Sequence, residues 1–484
     1  MSTQTVAVSH PPGFSPSVVK QGFGSGSLST YTIALEAWRR GLKVSFLDHI
    51  SNRFEISDGG RHIALSQSWP ISLTSSTDLK KLVNKDLTKQ LMRANGSPSP
   101  EGILIDTKKP HWDKIEAFAQ HIGYPLVLKP NAGSTGRGVL TRINSWEELV
   151  DGYNYLATEL AVSSIVLERH YEGSDFRILV IGERAVAACK RIPANVTGNG
   201  VETVRELINA KNATRAANPF LSKGTIDVDY EVMRRLFEEN LTLDSIPVDG
   251  RYIALRRAAN ASAGGDVIDV TDTLPGPILD AAVRAVLSVP NIFIAGVDVI
   301  YKEGSAPTYD NFTILEMNPR PQIGVNMYPT EGVGRDVPRA YVDFLFPHSQ
   351  RPTSGSDEML AFELTLIKPA LRSGFAESVT IPPLPEHRFR IRQLFVYSHA
   401  RSGPKLNRVQ RDRILRIVRE ESLAGHLKSE RDALHLLVCG GSDASVSRLR
   451  KYCEEVLEIA GSGECELLAW EEAVTTGFRI DPKV

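Results

Sequence analysis

The pattern of apolar and polar positions predicts that strands and helices alternate from the start of the chain. Apolar residues recur at helix spacing over residues 29–40, and Gly41 follows at a position where glycine often ends a helix. The apolar run at residues 44–47 predicts a strand, and Val18-Val19 forms a shorter apolar run before the helix. A strand, a helix and a strand within about 30 residues are typical of a βαβ unit, so a parallel sheet is expected near the N-terminus.

The middle of the chain continues this alternation. Helices are predicted over residues 79–93 and 111–121. Short apolar runs predict strands over residues 124–130, 139–142, 164–168, 176–181, 185–190, 294–300 and 313–318. The first of these runs carries Lys129 near its end, and the glycine-rich stretch 133–138 separates it from the second run. The two runs are therefore predicted to form a hairpin.

The last part of the chain has a different order of elements. Proline, serine and glycine are frequent over residues 346–356, which indicates a boundary. Beyond it, strands are predicted over residues 362–367, 389–398, 425–428, 433–439 and 464–470, with helices over 407–421 and 444–459. From the strand at 389–398 onward the order is βαββαβ, which is typical of a ferredoxin-like α+β domain. The simplest interpretation is that such a domain serves in packing, in dimerisation or in the orientation of an acceptor substrate.

Composition limits the classes of protein that need consideration. A chain of 484 residues is expected to hold about three domains or fewer. The formal net charge of −1 argues against a protein that holds nucleic acid by a positive field over its whole surface. The four cysteines form no CxxC pair, so neither a disulfide framework nor a zinc site is indicated, and no run reaches the length of a membrane helix. We therefore expect a cytoplasmic protein without nucleic-acid or membrane partners.

Charged side chains at strand ends suggest the chemistry. Lys85 and Lys129, together with the small residues of the stretch 133–138, suit a phosphate group, because backbone amides of such a loop can approach an anion closely. Asp298, Glu316 and Asn318 offer the hard oxygen ligands that Mg²⁺ prefers. The set predicts a site for a nucleotide with magnesium. Each motif alone has a plainer interpretation, since a glycine-rich stretch is often only a turn and Glu316 with Asn318 could be a solvent-facing strand end.

Eight collinear segments carry a resemblance to a known family. They are Asn84-Lys85 with Thr88-Lys89, YPLVLKPNAGSTGRGV at 124–139, VLERHYEGSDFR at 166–177, RIPANVTGNGVETVRELI at 191–208, NASAGGDVIDVTD at 260–272, AGVDVI at 295–300, ILEMNPRP at 314–321 and YPTEGVGRDV at 328–337. With these segments the chain resembles the ATP-grasp superfamily, and in particular the ATP-grasp part of bifunctional glutathione synthetases and of cyanophycin synthetase. The C-terminal part is faintly similar to an acylphosphatase domain.

The resemblance implies a role for each matching residue. The residues implied in ATP binding are Lys85 and Lys129 at the α- and β-phosphates, Gly133, Ser134, Thr135, Gly136 and Gly138 in a loop over the triphosphate, Glu168 near the adenine amino group, Arg169, His170 and Tyr171 along the adenine edge, and Asp175 at the ribose hydroxyls. The implied metal ligands are Asp298, Glu316 and Asn318, which would hold two Mg²⁺ ions, with Mn²⁺ as an alternative. The residues implied in catalysis are Arg177, Arg191 and Arg256, near the γ-phosphate or the acyl-phosphate oxygens, and Asn260.

The resemblance also implies an α/β ATP-grasp fold and a reaction. The expected domains are a preATP-grasp domain with a parallel sheet at 1–80, an ATP-grasp domain at 81–350 with a lid subdomain at about 122–170, and the C-terminal domain at 357–484. The implied reaction joins a small-molecule carboxylate to an amine through an acyl phosphate, releasing ADP. The expected substrates are amino-acid-like. The alternatives are a glutathione- or cyanophycin-type ligase acting on its familiar substrates and a nucleotide-binding regulator without chemistry. A homodimer is one option for the assembly.

The substrate side departs from the relatives. After Asn318 the chain reads PRPQIGVNM, where relatives carry a second asparagine and histidines, and it has Arg257-Ala-Ala259 where relatives carry a glutamate. The motifs implied in nucleotide binding match those of the relatives, whereas the motifs implied in substrate binding differ from them. A carboxylate–amine pair other than that of glutathione synthesis is therefore expected, and the sequence names neither substrate.

Overall fold

A computed structural model describes residues 9–24, 26–48, 52–131, 138–351, 360–385, 389–398, 405–430, 433–459 and 465–484. Its α-helices are α1 (Pro16–Phe23), α2 (Leu28–Arg39), α3 (Ser76–Val83), α4 (Lys85–Ala94), α5 (Trp112–Ile122), α6 (Trp146–Asn154), α7 (Val204–Ala217), α8 (Tyr230–Glu238), α9 (Gly276–Leu287), α10 (Gly324–Met327), α11 (Val337–Leu345), α12 (Leu364–Arg372), α13 (Arg408–Glu420) and α14 (Asp443–Val456). A π-helical turn spans Tyr155–Glu159, and 3₁₀ turns span Leu221–Lys223 and Ala261–Ala263.

The strands cover the remaining regular structure of the described residues. They are β1 (Lys43–Phe46), β2 (Arg53–Ser57), β3 (His62–Ser66), β4 (Trp69–Pro70), β5 (Gly102–Asp106), β6 (Leu126–Pro130), β7 (Leu140–Ile143), β8 (Ser164–Arg169), β9 (Ser174–Ile181), β10 (Arg184–Ile192), β11 (Asn195–Thr197), β12 (Tyr252–Ala254), β13 (Asp266–Asp269), β14 (Ile294–Tyr301), β15 (Phe312–Asn318), β16 (Leu360–Ala361), β17 (Val379–Thr380), β18 (Ile391–Ser398), β19 (Ala424–Glu430), β20 (Ala433–Gly440), β21 (Cys465–Ala469), β22 (Val474–Thr475) and β23 (Phe478–Ile480).

The contacts between residues divide the chain into two units. The first unit contains Ser68–Phe344 together with the N-terminal segment up to His10. The second unit contains Pro11–Gln67 and Leu345–Val484. The charged residues singled out by the sequence between Lys85 and Asn318 all belong to the first unit, so one folding unit holds the whole candidate site.

Two predicted strands and one predicted sheet arrangement are wrong. The expected first strand of the βαβ unit lies in helix α1, and β1 pairs antiparallel with both β2 and β17, so the predicted parallel arrangement is absent from this described sheet. Pro16 at the first helical turn and the buried Val18, Val19 and Phe23 favour one apolar helix face. The strand predicted at 362–367 is mostly helix α12, because its buried leucine and isoleucine residues recur at helix spacing through Leu371.

The helix predicted over residues 79–93 is broken in two. Asn84 lies between α3 and α4 with an extended backbone, and its side chain accepts a hydrogen bond from the amide of Leu87 at 3.1 Å. An asparagine in this position satisfies an otherwise unpaired amide at the start of a helix. The break makes Lys85 the first residue of α4, and places Lys89 one turn later on the same helix face.

An antiparallel sheet with the order β13-β10-β9-β14-β15 forms the centre of the first unit. One face of it packs against α9 through a core that includes Phe176, Ile178, Val297, Ile314 and Ala282. Since side chains alternate along a strand, the residues between these apolar positions point to the opposite face. That opposite face carries the charged residues of the candidate site.

A second sheet of the first unit has the order β5-β8-β6-β7. Leu126, Leu128, Ile165 and Leu167 contribute to a core that is shared with helices α5 and α6. The intervening positions of β6 and β8 face the other way, and they include Lys129 and Glu168. The predicted hairpin of β6 and β7 is present as an antiparallel pair.

The second unit ends in a five-stranded sheet with the order β21-β18-β20-β19-β23. The elements β18, α13, β19, β20, α14 and β21 follow one another as βαββαβ, and β18 lies between β20 and β21 in antiparallel pairs. This is the connectivity of a ferredoxin-like split unit, extended at one edge by β23. Among the helices of the described ranges, none combines the length and the apolar character needed to cross a bilayer.

Candidate active site

A buried group of two lysines and one glutamate lies between α4 and the β5-β8-β6-β7 sheet. The carboxylate of Glu168 accepts from Lys129 Nζ at 2.5 Å and also forms an ion pair with Lys89. Glu168 is 2% exposed, Lys89 3% and Lys129 6%. Burial opposes ionisation of the Glu168 carboxyl, but the charges of Lys129 and Lys89 outweigh burial and lower its pKa. Burial lowers the pKa of Lys89 to about 8, against the opposing effect of Glu168.

This triad has one more cation than anion. Two ammonium groups share a single carboxylate, so a polyanion that enters here would meet an excess of positive charge. The sequence predicted Lys129 and Glu168 as site residues and did not select Lys89. The signal that could have identified Lys89 is its spacing of four from Lys85, which puts both lysines on one face of α4.

The central sheet carries a row of alternating charges on one face. Asp298 stands opposite Arg177 in the β14/β9 register, and Arg191 stands opposite Asp175 in the β10/β9 register. Arg177 donates to Asp298 through Nη2 at 3.0 Å, and Arg191 Nη2 lies 2.6 Å from Asp175 Oδ1 and 3.2 Å from Asp298 Oδ1. The four side chains therefore form a continuous ionic row.

Burial and neighbouring charges shift the pKa values of Asp175 and Arg191 in this row. Desolvation raises the pKa of Asp175 to about 6, although the Arg191 guanidinium beside it acts in the opposite direction. Burial acts to lower the pKa of Arg191, but Asp298 and Asp175 outweigh it and raise that pKa. The Arg191 guanidinium is thus a permanent charge, as arginine usually is in proteins.

The candidate metal ligands come together at one end of the same face. Asp298 is the register partner of Glu316, and Gly296 is the register partner of Asn318. Asn318 Nδ2 lies 3.5 Å from Glu316 Oε1. Two carboxylates and one amide oxygen are a donor set that fits Mg²⁺, which commonly takes one or two protein carboxylates beside substrate phosphates. In the described ranges, no group of three His, Cys, Asp or Glu side chains is arranged to hold a metal, so the amide of Asn318 is needed to complete this set.

Lys85 connects the two halves of the site. Its ammonium group lies 3.7 Å from Glu316 Oε2, and its side chain is 14% exposed. Burial lowers the pKa of Lys85 and the charge of Lys129 adds to this, while Glu316 opposes both. Lys85 therefore interacts with Lys129 on one side and with Glu316 on the other. A phosphate chain that runs from the triad to the metal ligands would pass beside it.

Other predicted residues are bound elsewhere in the first unit. Arg256 donates to Asp229 at 2.7 Å and to Glu231 at 2.9 Å, at the beginning of α8. Asn260 caps the 3₁₀ turn Ala261–Ala263 and accepts from the amide of Ser262 at 3.0 Å. These contacts hold Arg256 and Asn260 in the segment 227–265, and the ionic row is formed without them.

The predicted adenine segment begins at Arg169, the last residue of β8. The amide of Arg169 donates to Glu101 O at 3.0 Å, and the amide of His170 donates to Pro125 O at 3.2 Å. The Arg169 guanidinium lies 5.5 Å from the centre of the Tyr171 ring. Two amides of this segment are therefore already used in holding it against neighbouring backbone.

The predicted phosphate loop lies mostly outside the described residues. Gly133, Ser134, Thr135 and Gly136 belong to the undescribed range 132–137, and only Gly138 is described. Gly138 has φ +75°, and an added Cβ would lie about 3.1 Å from Leu160 and Pro130 side-chain atoms. Glycine is favoured at this position because the backbone angle strains any other residue and an added Cβ would be tightly packed.

Comparison with known proteins identifies part of the chain. Residues 83–202 match the model of the RimK-like ATP-grasp domain. The chain is 33% identical over 330 residues to the cyanophycin synthetase of Trichormus variabilis, covering 66% of this chain and 35% of that protein. It is 31% identical over 322 residues to the glutathione biosynthesis bifunctional protein GshAB of Listeria innocua, covering 66% of this chain and 41% of that protein.

A solved structure supports the fold. The crystal structure of a bifunctional glutathione synthetase from Pasteurella multocida aligns with a TM-score of 0.53 and 24% identity, covering 67% of this chain and 44% of that one. The chain thus spans less than half the length of these relatives. The resemblance predicted from the sequence is confirmed: the chain carries a RimK-like ATP-grasp domain at residues 83–202, and 66% of the chain is homologous to part of cyanophycin synthetase and of the bifunctional glutathione protein.

Proposed function

We propose that the protein is an ATP- and Mg²⁺-dependent ligase that joins a carboxylate to an amine and releases ADP and phosphate. The observation that carries the proposal is the arrangement of Lys85 between the Lys89–Glu168–Lys129 triad and the carboxylates of β14 and β15. This arrangement offers cations for a triphosphate next to oxygen ligands for a metal. The homology to ATP-grasp ligases supports the same conclusion.

The chain's residues would divide the work of phosphoryl transfer. Lys85, Lys89 and Lys129 bind the phosphates of ATP. Their positive charge stabilises the negatively charged triphosphate. When bound by Asp298, Glu316 and Asn318, Mg²⁺ offsets the charge of the transferring phosphoryl group. Positioning and charge neutralisation supply most of the catalysis in reactions of this type.

The arginines of the ionic row would act on the activated substrate. A substrate carboxylate is a poor electrophile until the γ-phosphoryl group of ATP converts it to an acyl phosphate. An amine then attacks the acyl carbon, phosphate leaves, and an amide forms. Arg177 and Arg191 stabilise the acyl-phosphate oxygens by their positive charge, from positions that Asp298 and Asp175 fix.

A screen of substrate pairs tests the reaction. Purified protein with ATP and Mg²⁺ is mixed with pairs of amino-acid-like carboxylates and amines, and ADP, AMP, phosphate and pyrophosphate are measured. We expect ADP and phosphate to appear together, only when the matching carboxylate is present. Hydroxylamine should trap the acyl phosphate as a hydroxamate.

The screen also separates the alternatives. The substrates of glutathione and cyanophycin synthesis are included, since turnover with them would assign the protein to one of those familiar reactions. A nucleotide-binding regulator would bind ATP and give no product with any pair. AMP formed in step with the amide would contradict the ligase chemistry proposed, because it indicates adenylation of the carboxylate.

The phosphate role of Lys129 is tested by substitution. Lys129→Ala is expected to weaken ATP binding by about 1.5–3 kcal/mol, the typical contribution of a hydrogen bond to a charged group. That corresponds to a roughly 10- to 150-fold higher Kd, measured by calorimetric titration. Lys114→Ala on the exposed side of α5 is the matched control and should bind ATP as the wild type does. Unchanged affinity in a folded Lys129→Ala protein would remove Lys129 from the site.

A further inference from the structure

The turn that follows β15 carries an arginine whose charge is not balanced by a carboxylate. Among the described residues, Arg177, Arg191, Arg256 and Arg335 each form an ion pair with Asp or Glu, whereas Arg320 forms none. Arg320 is exposed and lies two residues beyond Asn318. Its guanidinium carbon lies instead 4.9 Å from the centre of the Trp69 ring.

Trp69 adds a second unused donor at the same place. The side chain is 8% exposed, and its indole Nε1 is buried without a hydrogen-bond partner in the described part of the chain. A buried N–H group that lacks an acceptor is unfavourable by about 1–3 kcal/mol. The pair of Trp69 and Arg320 therefore offers N–H donors and positive charge, and offers no acceptor of its own.

Local contacts fix this pair beside the ionic row. Ser68 Oγ donates to Pro321 O at 2.7 Å, which ties the residue before Trp69 to the residue after Arg320. Prolines at 319 and 321 flank Arg320 and restrict its backbone. A Cβ added at Gly296 would lie 2.9 Å from Arg177 Nη1 and 3.3 Å from Pro321 Cβ, so the turn packs against the strand that carries Asp298.

The contact with the Trp69 ring leaves the N–H groups of Arg320 available for hydrogen bonds with a ligand. A guanidinium group that lies over an aromatic face uses its face for that contact, and its five N–H groups point outward in the plane of the group. Those donors match the two oxygens of a carboxylate in a fork geometry. Because the contact with Trp69 already restricts the Arg320 side chain, less side-chain freedom is lost when an anion binds.

We infer that Arg320, held on Trp69, is a specificity-determining residue that binds a non-reacting carboxylate of an amino-acid-like substrate. The inference rests on the proposed function, since the substrate is that of the ligase. It adds that one substrate must carry a free carboxylate besides the group that reacts. Trp69 orients the guanidinium through the contact of its ring with Arg320.

Paired ligands test the inference. Wild-type protein with ADP and Mg²⁺ is titrated with each of the common L-amino acids and with the corresponding C-terminal amides, and the thermal unfolding midpoint is followed. At least one amino acid should raise the midpoint more than its amide does. In Arg320→Gln the apparent Kd for that amino acid should rise about tenfold or more, and the difference between acid and amide should disappear.

Further variants separate the effects of the Arg320 charge, of the fork geometry of its guanidinium group and of the Trp69 ring. Arg320→Lys keeps the charge and loses the fork, and Trp69→Phe keeps an aromatic face with a weaker cation–π contact, so both should give intermediate affinities. Arg205→Gln removes an equal charge at a 53% exposed side chain on α7 and should behave as the wild type does. The inference is overturned if no amino acid is preferred over its amide, or if Arg320→Gln keeps that preference.

Phosphate release from ATP in the same samples keeps the two proposals apart. Turnover of a carboxylate–amine pair that is unaffected by Arg320→Gln, in KM as in kcat, would overturn the role of Arg320 and leave the ligase proposal standing. Preference for acids that depends on Arg320, without phosphate release from any pair, would support the carboxylate site and contradict the ligase. A raised KM with little change in kcat is the result expected for a residue that recognises a non-reacting group.

Discussion

Replacing Glu316 by glutamine is expected to lower turnover on the order of 100-fold, the upper range for residues that tune a metal site. The substitution keeps the shape of the side chain and removes one negative charge from the set formed with Asp298 and Asn318. ATP binding should change much less, because Lys85, Lys89 and Lys129 remain. Turnover is measured by phosphate release with the active substrate pair, and nucleotide affinity by calorimetry.

A control and a contradicting result accompany this prediction. Glu303→Gln removes the same charge after β14, where the 48% exposed carboxylate pairs with Lys190 at 2.5 Å, and it should keep the activity of the wild type. Added Mg²⁺ should restore part of the activity of Glu316→Gln if the loss arises from weaker metal binding. Turnover equal to that of the wild type in Glu316→Gln would show that Glu316 is not a metal ligand. The role proposed for the metal set in phosphoryl transfer would then be wrong.

Replacing Glu168 by glutamine is expected to lower the free energy of unfolding by about 3–5 kcal/mol, as for other buried ion pairs that lose one partner. Glu168 is the carboxylate between Lys89 and Lys129, so the variant leaves two buried ammonium groups without an anion. Urea unfolding followed by circular dichroism measures the loss. Glu172→Gln, an exposed position four residues later, should change stability by less than about 0.5 kcal/mol.

The pH dependence of this loss identifies its cause. The pKa of Lys89 is lowered to about 8 in the folded protein from the usual 10.5, so the unfolded chain binds the proton more tightly. The contribution of Lys89 to the free energy of unfolding is therefore least favourable below about pH 8. It becomes more favourable as the pH increases from 8 to 10.5. In Glu168→Gln the pKa of Lys89 should fall further, and the destabilisation should shrink at high pH. A loss of stability that does not vary between pH 7 and 10 would point to packing instead of charge.

Local patterns were sufficient for much of the first unit. The strands at Lys129, at Glu168 and at Asp298, the β6/β7 hairpin and the strands β9 and β10 follow from short apolar runs and turn residues, which act over a few neighbouring positions. The family resemblance also came from the sequence, because its segments are collinear. Errors arose where a short apolar run was ambiguous, as at Val18-Val19 and at 362–367, because a run of two to six residues suits a helix face as well as a strand.

The sequence by itself determined which residue types the site contains: lysines, carboxylates and an asparagine, in an order that resembles an ATP-grasp ligase. Only the tertiary structure decided their partners. Glu168 is bound by two lysines from different elements, Asp175 by Arg191 across a strand pair, and Arg320 lies on Trp69, 251 positions earlier in the chain. Spacing along a chain reports neighbours within one helix or strand, whereas ion pairs form between elements that packing brings together, so burial and register had to be known before charges could be paired.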